Sequence, residues 1–119
     1  MKVIRMYTGE DGESHFEELN LEMIPHGDAV VLSSPQVCHQ LQFAETGSGG
    51  GYDWHNAPRR QYVITLCGTL RFENRLGDVQ EIRPGDILLA EDCVGGGHKW
   101  ELIDENPWRR CYIHLDPTP

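Results

Sequence analysis

The sequence predicts an all-β domain built as a sandwich or barrel of short strands. Three observations predict it. No segment sustains an apolar period of 3.6 residues, so long helices are not expected. Short alternating or continuous apolar runs recur along the chain. Clusters of Gly, Pro, Asn and Asp separate those runs. A chain of 119 residues reads as a single domain, 1–119, large enough to bury a core without disulfides or metal.

Taken in order, Lys2 to Tyr7 alternates as a strand and Gly9 to Glu13 is a turn without an apolar anchor. Ser14 to Asn20 is a strand marked by Phe16 and Leu19. Leu21 to Gly27, with Pro25, reads as a connection, and Ala29 to Leu32 as a short strand broken by Ser33-Ser34-Pro35. Val37 to Phe43 alternates, with Val37, His39, Leu41 and Phe43 on one face. Glu45 to Gly51 is a glycine-rich turn. It lacks the strand–loop–helix context and the Lys-Ser/Thr ending of a phosphate loop, so no nucleotide cofactor is expected. Asp53 to Ala57 is extended, and Tyr62 to Leu66 is a buried strand that Gly68 punctuates. Thr69 to Glu73, Val79 to Ile82 and Ile87 to Ala90 are strands separated by turns at Asn74–Asp78 and Pro84-Gly85-Asp86. Cys93 to Gly97 is a second glycine-rich loop. Gly97 to Ile103 and Trp108 to Leu115 are the last strands, with a turn at Asp104 to Pro107 and a tail from Asp116 to Pro119.

The net charge is −9 and no basic run exceeds Arg59-Arg60 or Arg109-Arg110. Nucleic acid is therefore not an expected partner, because phosphate neutralisation needs clustered cations. No run approaches the ~20 apolar residues of a membrane span, and the first residues do not form a signal peptide. A cytoplasmic setting without a membrane partner is expected. Cys38, Cys67, Cys93 and Cys111 are widely spaced in apolar surroundings and read as free, mostly buried thiols.

The stretch from Asp53 to Gly68 concentrates the chemistry. Alternation puts Asp53, His55 and Ala57 on one face, and Gln61, Val63, Thr65 and Cys67 on one face of the next strand. Facing one cavity, they would make it polar at the mouth and apolar deeper in, the shape of a small-molecule site. Of Arg59 and Arg60 only one can face that cavity, where a guanidinium would fork onto an anionic group; the bland alternative is an ion pair. Trp54, Trp100 and Trp108 could stack a ligand ring, although Trp in a small β-sandwich is more often core. His114 alternates with Tyr112 and is counted among the pocket candidates with Arg59, Arg60 and Trp100. His15, His26, His39 and His114 have no mutual spacing that suggests a site. Glu91-Asp92 could supply a general base if buried, but such a pair usually forms a solvated turn. No Gly-x-Ser-x-Gly elbow exists and Cys93 has no defined geometry to His98, so no catalytic residue is assigned.

Asp53 to Trp100 resembles the two cupin motifs. The first is glycine, five residues, His-x-His, three or four residues, Glu, six residues, glycine. His55 falls on its first His, Ala57 on its second, Gln61 on its Glu and Gly68 on its last glycine. The second would begin near Gly77, pass through Pro84-Gly85-Asp86 and end on His98. The whole chain is similar to small single-domain cupins of a largely uncharacterised bacterial group, in which Ala57 to Gln61, Leu88 to Asp92 and the glycine-rich turn before His98 recur. The resemblance implies a jelly-roll barrel (a double-stranded β-helix) and a homodimer. At the matched positions His55, Gln61 and His98 could hold a divalent metal (Zn, Mn, Fe or Ni), and Asp53, two residues before His55 on the same strand face, could supply the anionic ligand that Ala57 and Gln61 do not; the alternative is that the two histidines line a polar pocket and hold one another or water. Two functions follow: a metal-dependent oxygenase, isomerase or lyase acting on a small polar metabolite, or a non-catalytic binding or sensing module without tightly bound metal.

Overall fold

The computed structural model describes residues 1–117. They form twelve strands and no helix. These are β1 (Lys2–Thr8), β2 (Ser14–Asn20), β3 (Met23–Pro25), β4 (Val31–Ser33), β5 (Cys38–Thr46), β6 (Gly51–His55), β7 (Gln61–Cys67), β8 (Leu70–Asn74), β9 (Val79–Ile82), β10 (Ile87–Ala90), β11 (His98–Leu102) and β12 (Trp108–Leu115). A six-stranded sheet has the order β2-β1-β10-β7-β12-β5, and a four-stranded sheet the order β6-β11-β8-β9. β3 and β4 pair only with each other. All pairs are antiparallel except β1 with β10.

The core lies between the two sheets. Ile4, Met6, Val63, Leu88 and Trp108 from the large sheet cluster with Leu70, Phe72, Ile82, Trp100 and Leu102 from the small one. Burying each such side chain contributes about 1.5–3 kcal/mol relative to leaving it exposed. Alternation explains the selection, since Leu70, Phe72 and Asn74 of β8 are buried and Arg71 between them is exposed. At the hairpin that follows, the buried Asn74 holds the turn: its Oδ1 accepts from the amides of Leu76 and Asp78.

The expected strands are present, with three differences. The connection at 21–27 contains β3, which pairs with β4 around a turn where Asp28 and Ala29 take positive φ. This hairpin is largely exposed, with Ile24, Val31 and Leu32 open to solvent. β5 runs on to Thr46, because β12 offers it partners as far as Trp108. The extended stretch 53–57 is cut at His55, and Ala57 lies in the irregular crossing to β7 on the other sheet. The two sheets do not share a hydrogen-bonded ladder, so they face each other as a sandwich and do not close into a barrel. Of the expected tail, Thr118 and Pro119 lie outside the described residues. The thiols are free, as expected, but not buried: Cys38 and Cys93 are exposed, Cys67 and Cys111 half-buried. Cys38 sits on β5, an edge strand with no partner on its far side.

Candidate functional site

A cavity of about 370 Å³ opens between the sheets. Its walls follow from strand alternation. Trp108, Arg110, Tyr112 and His114 occupy every second position of β12, and all four line it. Gln61 and Val63 of β7 stand beside them in register, His114 opposite Gln61 and Tyr112 opposite Val63. The small sheet contributes Tyr52, His55, Phe72, His98 and Trp100.

A bulge sets the imidazole side. His98 pairs with His55, but Trp100 pairs with Tyr52, so three residues of β6 span the length of two on β11. The extra residue puts Tyr52 and His55 on the same face, their rings edge to face at 4.1 Å between centroids. It also takes Asp53 out of phase. Asp53 is exposed and does not line the cavity; only its carbonyl takes part, accepting from His55 Nδ1 at 2.6 Å. The rings of His55 and His98 are 4.4 Å apart. Gly97 makes this approach feasible. Its φ is +74°, and a Cβ there would lie 2.4 Å from the His55 carbonyl oxygen.

Behind His98 stands a buried carboxylate. Asp92 is fully buried, and its Oδ2 accepts from His98 Nδ1 at 2.6 Å and from Ser14 Oγ at 2.6 Å. Its Oδ1 has no partner among the described residues. The expectation of a solvated turn at 91–92 therefore fails. Glu91 is drawn in by Arg5 and Arg60, and Asp92 by Ser14 and His98. The Asp92 carbonyl also accepts from the Ala57 amide and the Asn56 side chain, which fastens the 56–60 crossing over the site.

In both histidines a carbonyl or carboxylate faces Nδ1. Neither oxygen can donate, so Nδ1 carries the proton and a neutral ring presents a lone pair at Nε2. Burial pushes the pKa of His55 below its ordinary value; the charge of a protonated His98 acts in the same direction, and the Asp53 carbonyl opposes both. Burial, then the charge of Arg59, lowers that of His114. Burial opposes ionisation of Glu91, but Arg5 and Arg60 outweigh it and hold the carboxyl below its ordinary value.

Of the candidates from sequence, His55, Gln61, His98, Arg59, Trp100 and His114 line one cavity. Asp53 and Arg60 do not. Arg60 turns to the outer face and pairs with Glu91, while Arg59 donates to His114 Nδ1 at 3.1 Å, so one of the two guanidiniums faces each way. Trp54 lies outside, under Arg75 and Lys99, and Trp108 packs in the core with its indole donating to Thr65. Cys93 does not line the cavity; partial burial, then Asp92 and Glu91, raises its pKa away from thiolate formation. Sequence reasoning missed Tyr52, Asp92 as the partner of His98, and Arg110. The alternation Trp108, Arg110, Tyr112, His114 was a readable signal for the last.

The donors at the positions expected to hold a divalent ion are the imidazoles of His55 and His98 and the Gln61 amide oxygen. No group of three or more His, Cys, Asp and Glu is placed to hold a metal among the described residues. The Nδ1 contacts fit metal-ligating histidines, which usually donate their other N–H to an oxygen acceptor. The missing negative charge does not.

No family model and no curated protein matches the chain. Among solved structures it is similar to protein NMB1881 from Neisseria meningitidis, at 18% identity and a TM-score of 0.49, covering 82% of this chain and 83% of that one. It is also similar to a protein from Salmonella typhimurium LT2 that carries the name ethanolamine utilization protein Q, at 14% identity and a TM-score of 0.39, covering 99% of this chain and 98% of that one. Likenesses this loose assign no activity. No helix among the described residues is long and apolar enough to cross a membrane.

Proposed function

We propose that this chain is a cupin-type jelly roll that takes one small organic ligand into the cavity between its sheets, with the His98–Asp92 pair as the group that exchanges a proton with it. One observation carries this. A fully buried carboxylate fixes His98 through Nδ1, and the ring lines the cavity. Such an arrangement sets the tautomer and stabilises the imidazolium that forms when Nε2 accepts a proton. Two chain motifs that resemble the cupin pattern, and two facing sheets with the site between them, support the fold.

The second option keeps a divalent ion of the Zn, Mn, Fe or Ni kind on His55, His98 and Gln61, favoured by the Nδ1 contacts of both rings. Bound there, it would act as a Lewis acid on the ligand. Asp53 is not part of that set. The cavity wall holds two arginines and no carboxylate, which disfavours a cation.

The deciding experiment is metal content by elemental analysis, with isothermal titration of Mn, Zn and Ni, on wild type and His98→Ala. The proton-exchange proposal expects no stoichiometric binding. About one equivalent of ion in the wild type, lost in the variant, overturns it in favour of the metal option.

The partner expected for the fold is a second copy of the chain. Phe43, Cys111, Ile64 and Ile87 stand side by side across four strands on the outer face of the large sheet, and Leu41, Ile113, Tyr62 and Leu89 form the next row. Phe43 and Leu41 are exposed there. A reducing compartment such as the cytoplasm suits four free thiols.

A further inference from the structure

We infer that the cavity selects a carboxylate, held by Arg110, with its apolar body against the tryptophans. The inference rests on the cavity being a ligand site, and adds the chemical class of what enters it.

Arg110 is more than nine-tenths buried. Its guanidinium is held in place by neutral groups only. Nε donates to the Tyr112 hydroxyl at 2.9 Å, and Nη1 to the Thr46 hydroxyl at 2.8 Å and the Trp108 carbonyl at 3.1 Å. The plane lies over the Trp108 ring, with Cζ 3.8 Å from its centroid. Arg5, Arg60 and Arg109 all face carboxylates, whereas Arg110 faces none among the described residues. Its remaining nitrogen, Nη2, has no hydrogen-bond partner among the described residues. Nor is it among the side-chain atoms sealed from open space without one, which are Glu13 Oε2 and Asp92 Oδ1. Arg110 borders this cavity and also a surface hollow beside Phe43 and Leu66, and we take Nη2 as its donor on the cavity side.

Burying a charge without a counter-charge is costly. A guanidinium cannot shed its proton to escape that cost. The site therefore keeps a cation that only an incoming anion can neutralise. The chain carries nineteen acidic residues, yet none lines this cavity and two arginines do. A positive interior inside an acidic protein concentrates small anions and rejects cations.

Two features favour a carboxylate over a phosphate. The anchored guanidinium offers one free nitrogen, enough for a monoanion but few donors for a dianion. Beside its polar residues the wall carries Trp100, Phe72, Val63 and Leu88, an apolar surface that suits an acid with an apolar body. A cavity of about 370 Å³ holds a single ring or a short branched chain.

The test pairs acids with their neutral isosteres. Benzoate, cyclohexanecarboxylate and phenylacetate are titrated against benzamide, cyclohexanecarboxamide and phenylacetamide, with inorganic phosphate alongside. Binding is followed by tryptophan fluorescence and by the Nε–H resonances of the arginines. At least one acid should bind ten-fold or more tighter than its amide and shift the Arg110 resonance. Arg110→Gln should remove that preference while the amide still binds, and Arg110→Lys should restore part of it. If both variants misfold, the wild-type resonance shift decides. Amides that bind as well as their acids overturn the anion inference and leave the pocket intact. Phosphate binding tighter than every acid overturns the carboxylate class. No shift of Trp fluorescence or of any cavity arginine with any probe overturns both.

Discussion

Replacing Asp92 with alanine removes the acceptor that joins β2 to β11. The carboxylate is fully buried, and both of its hydrogen bonds, from His98 Nδ1 and Ser14 Oγ, measure 2.6 Å. A hydrogen bond to a charged group is worth about 1.5–3 kcal/mol net, and a buried donor left alone costs about 1–3 kcal/mol. Asp92→Ala strands two donors, so the expected loss is about 3–5 kcal/mol, the range seen when a buried polar pair is broken from one side. That is a large share of the ~5–15 kcal/mol that holds a domain of this size together. Asp92→Asn keeps the shape. Its amide oxygen, standing where Oδ2 stands, can accept from both His98 and Ser14, and the nitrogen falls where Oδ1 already has no partner, so mainly the charge is lost and the cost should be near 1 kcal/mol. Urea unfolding followed by tryptophan emission separates the two. With a slope of about 1–3 kcal/mol/M, alanine should lower the midpoint by roughly 1–5 M and asparagine by about 1 M or less. An alanine variant within about 1 kcal/mol of wild type, or an asparagine variant as unstable as alanine, would refute the reasoning.

Other perturbations have defined outcomes. Gly97→Ala needs a left-handed residue to carry a Cβ, costing about 1–2 kcal/mol, and drives that Cβ to 2.4 Å from the His55 carbonyl. It should lower the thermal midpoint and shift both histidine ring signals, and an unperturbed spectrum would count against the close approach. Lowered pKa values at His55 and His114 mean that the unfolded chain takes up protons first as the pH falls below about 6.5. Stability should therefore be full above that pH and decline below it, with a second loss below 4.5 as Glu91 gives up its arginine pairs. Thermal midpoints at pH 7.5, 5.5 and 4.0 should descend in that order, and a midpoint higher at 5.5 than at 7.5 reverses the predicted sign. Phe43→Glu, on the outer apolar rows, should convert a dimer to a monomer in sedimentation equilibrium without loss of strand signal. A wild type that sediments as a monomer ends that proposal.

Much of the architecture could be read from local signals. Tyr62 to Leu66 announced a strand by β-branched and aromatic content, and Pro84-Gly85-Asp86 announced its turn; both are where expected, but the strand is not buried throughout, since Val63 and Thr65 are buried, Tyr62 and Ile64 half-buried and Leu66 exposed. Alternation also carried His98 and Trp100 to one face of β11, and both line the cavity. What escaped was non-local. The bulge that swings Tyr52 in and Asp53 out exists only against β11, and nothing within 51–55 encodes it. Glu91 and Asp92 looked like a solvated turn because their partners, Arg5 and Ser14, lie 86 and 78 residues earlier. Arg110 was visible by alternation, but its lack of an acidic partner emerges only when every neighbour is in place.

The parallel pairing of β1 with β10 has a kinetic meaning. Ile4 lies beside Leu88, and β1 is the only bridge between β2 and the rest of the large sheet. During synthesis at about 5–20 residues per second, the β1–β2 hairpin emerges seconds before the strand that will receive it. β5 waits likewise for β12. Closing loops this long is entropically slow, so refolding should take milliseconds to seconds, as for other sheets dominated by distant contacts. Stopped-flow refolding in microseconds would show that some shorter-range nucleus intervenes. While it waits, the nascent hairpin presents an open edge, and the ribosome-bound chain is at its most exposed to self-association just before residue 90 appears.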